Sequence, residues 1–310
     1  MAGARVDTQR LEPAGQRERT TERGPRPEEE AWLRLRPRGI GELIDQCFAV
    51  YVAYFGALVG ISFLCFVPLH LLFDALLLPI IQRQGLEPIV ALLRDVIPAS
   101  ITGGLVTLVV GQRLLGQEES LGVHLRRLVP RLPGLLVFYF LRGGLTLVLC
   151  CFLVVPGALS LWFFSPALAV YLLEGRAIAR QRRDQGQASL PLAVMMASLG
   201  RSFRLSWNLD AFGRFLGVAC VAGFLISLPL LGITHLQESG ELRNTLLSSG
   251  ALDARSVKVI MVLLGSAGVA AGAVFFDIFF TLYYFDLRVR REALDLDLSL
   301  DEIQRRSQKA

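Results

Sequence analysis

Apolar residues run through this chain in long blocks separated by short arginine-bearing segments. That is neither the two-residue alternation of a half-buried strand nor the narrow stripe of a helix in a soluble domain. Six blocks stand out, at 53–77, 96–110, 134–155, 158–173, 215–231 and 259–285. Crossing ~30 Å of hydrocarbon takes about 20 helical residues, with every backbone group bonded inside the segment, so the blocks predict six transmembrane α-helices. The second reaches crossing length when it starts near Ile89, which puts Arg94 and Asp95 at its outer boundary. Pro156-Gly157 interrupts an otherwise continuous apolar run and predicts a tight hairpin between the third and fourth spans.

A second pattern precedes the first, third and fifth blocks. Ile40, Leu43, Ile44, Cys47, Phe48 and Tyr51 recur at helical spacing, with Glu42, Asp45 and Gln46 on the other face. Leu192, Met195, Met196, Leu199, Phe203 and Trp207 do the same, with Arg201, Arg204 and Asn208 opposite. A shorter version spans 121–129 with Arg126 and Arg127. Such a helix either lies in the membrane interface with its arginines at lipid phosphates, or packs on the bundle's own inner end. Phe55-Gly56-Ala57-Leu58-Val59-Gly60 is also similar to Phe212-Gly213-Arg214-Phe215-Leu216-Gly217. Together these features predict three repeated hairpins, each an amphipathic lead-in helix, an outward span and a return span.

Composition fixes the class. Of 310 residues, 53% are hydrophobic and 19% charged, and mean hydropathy is +0.50, which excludes an ordinary soluble domain. Net charge is +5, and Lys258 and Lys309 are the only lysines. Of the 32 basic residues, 26 fall in segments on one side of the six predicted spans and 5 on the other. The positive-inside rule therefore predicts both termini in the cytoplasm. Arginines distributed in this way flank spans, so nucleic acid is not an expected partner. Residues 1–34, rich in Arg, Glu, Gly and Pro, predict a disordered cytoplasmic tail; 35–292 form the membrane domain, and 293–310 a cytoplasmic C-terminal tail. Cys47, Cys65, Cys150, Cys151 and Cys220 read as small apolar residues of the helices.

Charges inside spans mark candidate chemistry. Arg142 lies eight residues into the third span and Asp277 eight from the end of the sixth. At ~1.5 Å per residue both sit roughly 12 Å deep, which predicts an intramembrane pair serving as structural glue or as a lipid or ion site. Gly56 with Gly60, and Gly268 with Gly272, form GxxxG and predict close helix packing within the chain. Glu174 reads as a helix-end carboxylate paired with Arg176, and His70 as a boundary residue. The three histidines share no metal-ligand spacing, and no P-loop, dinucleotide or nucleophile-elbow motif occurs. Neither cofactor, metal nor enzymatic activity is expected.

Two flanking motifs carry a family resemblance. Leu35-Arg36-Pro37-Arg38-Gly39-Ile40-Gly41-Glu42-Leu43-Ile44-Asp45 resembles the opening motif of bacterial proteins related to the glycerophosphoryl diester phosphodiesterase membrane domain. Thr281-Leu282-Tyr283-Tyr284-Phe285-Asp286-Leu287-Arg288-Val289-Arg290-Arg291-Glu292-Ala293-Leu294-Asp295-Leu296 resembles that group's closing motif. Phe285 interrupts the usual Tyr-Tyr-Asp run, and Ala293 stands where glycine is common. Ser165-Pro166-Ala167 through Glu174-Gly175, and Arg201-Ser202-Phe203-Arg204-Leu205, are similar to the central region. The resemblance implies a six-helix domain of a bacterial inner membrane with a glycerolipid connection. The catalytic barrel fused to it in some relatives has no room here. Independently, Asp286 and Arg290 form an i,i+4 pair, and Arg201, Arg204, Arg288 and Arg291 sit where headgroup phosphates would be. The reading that results is a non-enzymatic inner-membrane protein that binds or organises anionic glycerolipid or a membrane partner. The alternative is a small transporter or channel using the Arg142 and Asp277 layer.

Overall fold

The computed structural model describes residues 36–73, 87–117, 119–152, 154–187, 190–238, 241–248 and 253–293. The predicted tail 1–34, and all of the predicted tail 293–310 except Ala293, lie outside the described residues. Every regular element among them is helical. In chain order these are α1 (Ile40–Leu72), α2 (Glu87–Leu114), α3 (Leu121–Leu128), α4 (Leu132–Phe152), α5 (Val154–Phe164), α6 (Gly175–Asp184), α7 (Pro191–Ser206), α8 (Leu209–Glu238), α9 (Glu241–Ser248) and α10 (Ala254–Glu292). Between α5 and α6 the chain makes one α turn, Ala167–Ala169, and one π turn, Val170–Glu174.

Among the described residues five stretches are helical, long and apolar enough to cross a membrane: Ile40–Leu72, Leu93–Leu114, Leu121–Thr146, Leu159–Asp184 and Ser256–Glu292. The fifth predicted block, 215–231, lies inside the 30-residue α8. The longest helix, α10, is the hub and packs against α1, α2 and α8, while α1 packs on α2, α2 on α4, and α4 on α5. Its Val274, Ile278, Phe279, Tyr283 and Tyr284 are fully buried. A second core gathers Leu105 and Leu108 of α2, Leu128 of α3, Leu135 and Phe138 of α4, Leu168 and Leu172, and Met195 of α7.

Several local expectations shift. Pro156 and Gly157 are helical, within α5, and residue 153, between α4 and α5, lies outside the described residues. Thr146 and Ser160 bond across the hairpin at 3.0 Å. A Cβ at Gly56 or Gly60 would meet open space, so this GxxxG faces outward and does not seat a neighbouring helix of the chain. The α1–α10 approach is made instead by Ser62 and Tyr51, whose hydroxyls donate to the carbonyls of Ala270 and Ala271, each at 3.3 Å. Among the cysteines, Cys47 is buried, Cys65 is half-buried and Cys220 is exposed.

The three lead-in segments are built in three ways. The first is continuous with the span, and its stripe packs in part: Leu43 and Cys47 are buried and the Phe48 and Tyr51 rings lie 4.9 and 5.4 Å from Phe275, while Ile40 is 40% and Phe48 37% exposed. The second, α3, sits on α2 with His124 and Leu128 buried. There the Gln112 amide donates to Glu119 (2.8 Å) and accepts from Arg127 (2.6 Å). The third, α7, is detached from its span by a break at Trp207 and Asn208. Its stripe is open, with Leu192 at 53%, Met196 at 57%, Phe203 at 44% and Trp207 at 64% exposure, and only Met195 of that set fully buried.

Candidate functional site

Two groups of charged side chains are formed, at opposite degrees of saturation. The first lies where α6, α7 and the end of α10 converge. Glu174, placed at the end of the π turn, takes an ion pair from Arg201 and a longer one from Arg288 (3.6 Å), and accepts the Tyr284 hydroxyl at 2.5 Å. Glu292 pairs with the same two arginines, at 2.9 Å to Arg201 and 2.8 Å to Arg288. Arg291 donates to the carbonyls of Arg204 (3.0 Å) and Trp207 (2.9 Å), capping the C-terminus of α7. Arg290 pairs with Asp286 at 3.0 Å as the i,i+4 spacing predicts, and also donates to the Arg38 carbonyl. Asp286 accepts the Arg38 backbone N–H at 3.1 Å, which fastens the residues before α1 to α10. Burial, with Arg36 alongside, holds the Arg38 guanidinium below its ordinary pKa.

Three of the four arginines expected at headgroups are therefore engaged by the protein. Arg201 and Arg288 are neutralised by two carboxylates, and Arg291 is spent on backbone carbonyls. Arg204 is exposed and has no side-chain partner among the described residues. Glu174 does not pair with Arg176; tertiary packing brings it two arginines from other helices instead. Exposed arginines sit alongside on α6, at Arg176, Arg180 and Arg183.

The second group is at mid-span. Asp277 is 6% exposed, and its carboxylate accepts the Tyr139 hydroxyl at 3.4 Å. Gly103 of α2 makes room for both: a Cβ there would run into the Tyr139 hydroxyl and lie 3.0 and 3.1 Å from the Asp277 oxygens. Arg142 and Asp277 thus share a neighbourhood, but among the described residues they form no direct ion pair. The reason is helical register. Tyr139, one turn before Arg142 on α4, takes the place facing Asp277, and the Arg142 guanidinium stacks 4.7 Å from the Phe280 ring centroid. Arg142 also lines an open cavity of about 430 Å³ with Asp95, Val96, Tyr139, Gly143, Thr146 and Leu161.

His70 is buried and links α1 to α10 and α2. Its Nδ1 lies 2.9 Å from the Ser266 hydroxyl on α10 and its Nε2 3.2 Å from Asp95 on α2. Arg94 reaches the same carboxylate at 3.1 Å. Among the described residues no cluster of three His, Cys, Asp or Glu could hold a metal.

Some of these partners were within reach of the sequence. Glu292 stands four residues after Arg288, and Tyr139 three before Arg142, so helical spacing puts each on its neighbour's face. No local signal links Glu174 to Arg201 or His70 to Asp95. No family model matches the chain, and no curated protein and no solved structure is similar to it.

Proposed function

We propose that the chain is a non-enzymatic, six-span protein of a bacterial cytoplasmic membrane, with both termini in the cytoplasm, that binds or organises anionic glycerolipid through an arginine-rich inner face. The observation that carries this reading is α7, whose apolar stripe is open beside exposed Arg204 and the exposed arginines of α6. A helix with its apolar face unburied and cations alongside matches the boundary between acyl chains and anionic headgroups. Each arginine near an anionic surface contributes about 1 kcal/mol. The sixth span would be α8, whose 30 residues make ~45 Å of helix. An odd number of spans would put the arginine-rich segments on both sides of the bilayer, against the positive-inside bias. The bacterial setting and the glycerolipid connection rest on the resemblance of the flanking motifs to the glycerophosphoryl diester phosphodiesterase membrane domain. The Ala293 position, where that group carries glycine, adopts φ +49°, the left-handed conformation in which glycine commonly ends a helix.

The test is spin-label lipid selectivity in reconstituted bilayers. Wild type should immobilise labelled phosphatidylglycerol in preference to phosphatidylcholine, with a preference that falls as salt is raised. A variant carrying Arg176→Gln, Arg180→Gln, Arg183→Gln and Arg204→Gln should lose it. Equal immobilisation of both lipids by wild type would reject the reading, and a reporter inserted at Ser239 that proved cytoplasmic would reject the topology. A membrane-protein partner on the same face is the companion possibility. A small transporter or channel is the second reading, and the cavity beside Arg142 is what favours it.

A further inference from the structure

Arg142 stands ten residues beyond the start of the 21-residue α4, about 15 Å along its axis and thus near its middle. A guanidinium carries five N–H donors, and leaving a cation without acceptors in an apolar layer is costly. Among the described residues Arg142 donates to no carboxylate, hydroxyl or carbonyl, and its contact is the face of Phe280. Of the nearby carboxylates, Asp277 acts on Arg142 through space without a hydrogen bond to it. Asp277 accepts from Tyr139, and Asp95 is held by His70 and Arg94. The cavity that Arg142 lines has apolar walls at Val96, Gly143 and Leu161, hydroxyls at Tyr139 and Thr146, and the Asp95 carboxylate, which His70 and Arg94 hold. Its volume of about 430 Å³ falls in the roughly 300–1,000 Å³ range of small-molecule sites.

We infer that this cavity binds a single-chain anionic amphiphile, its carboxylate or phosphate monoester on the Arg142 guanidinium and its alkyl chain along Val96, Gly143 and Leu161. The unfilled guanidinium donors ask for an anionic acceptor, and the walls ask for hydrocarbon. The site is distinct from the inner face and does not rest on lipid binding there.

The experiment is photolabelling of the full chain in lipid nanodiscs with a diazirine derivative of palmitic acid, with labelled residues mapped by peptide mass spectrometry. Label should concentrate on the α4 segment 139–146 and around Leu161. Palmitate and lysophosphatidate should compete, the stronger one identifying the head chemistry, and uncharged monopalmitoylglycerol should not. Arg142→Gln should reduce labelling about tenfold, the loss expected when a charge-assisted contact is removed, and Arg142→Lys should retain most of it. Gly143→Leu keeps the charge and fills the cavity, so it should also abolish the label and decides the matter if Arg142→Gln does not fold. Arg204→Gln should leave labelling unchanged, which separates this site from the inner face. Undiminished labelling in Gly143→Leu, or competition by the neutral glyceride equal to that of the anions, would overturn the inference.

Discussion

The arginines around Glu174 and the arginine at mid-span meet opposite conditions. Arg201 and Arg288 share two carboxylates, and each acid is used twice. Arg142 has an aromatic face and an open cavity. The first arrangement locks three helices to one another, because removing any member strands another charge. In the second, the donors of Arg142 meet no hydrogen-bond acceptor among the described residues, and Asp277 acts on it through space only. Count of arginines says little about function here; saturation of their donors separates scaffold from site.

The sharpest way to break this comparison is Glu174→Gln. It removes the charge that Arg201 and Arg288 share and should cost about 2–3 kcal/mol, at the low end for breaking a buried pair because the partners are partly exposed. A thermal unfolding scan in detergent checks it, and an unchanged midpoint would make the cluster a surface feature. Next comes the mid-span pair: Arg142→Gln and Asp277→Asn should show a coupling of about 0.5–1 kcal/mol in a double-mutant cycle, because the two charges act on each other through space without a hydrogen bond. A coupling of several kcal/mol would show that the two groups act as one ion pair and would return Arg142 to the scaffold class. Ala293→Gly, which relieves a left-handed φ of +49°, should stabilise by about 0.5–1 kcal/mol and so mark the end of α10 as a strained link next to Glu292. Smallest is Arg204→Gln, which should leave the melting midpoint unchanged, since that side chain has no partner to lose.

Hydrophobic blocks made the helical class legible, because a span must carry its own length and its own hydrogen bonds. The amphipathic lead-in segments show where that legibility stops. The stripes beginning at Ile40 and Leu192 have the same period, yet the middle of the first packs on Phe275 of α10, while four of the six residues of the second stay exposed. Periodicity reports that a face is apolar; what covers it depends on helices far away in sequence. The site divides in the same way. The i,i+4 pair Asp286–Arg290 could be read from spacing, whereas Arg201–Glu174 depends on α7 crossing the π turn. Matched depth brought Arg142 and Asp277 into one layer but could not show that Tyr139, one turn away, takes the facing position.

The π turn at Val170–Glu174 has a consequence for how this chain tolerates change. A π turn is an α-helix carrying one additional residue, and one residue is worth 100° of rotation about the axis. Deleting a single residue there would let the backbone relax into ordinary α geometry at little local cost. Everything from Gly175 onward would then swing by more than a quarter turn, carrying Arg176, Arg180 and Arg183 off their present bearing and Glu174 away from its two arginines. Substitutions in this stretch can be judged one at a time, but length cannot: the segment is a phase-setting spacer, and its residue count is inherited as a unit with the direction of the arginine face.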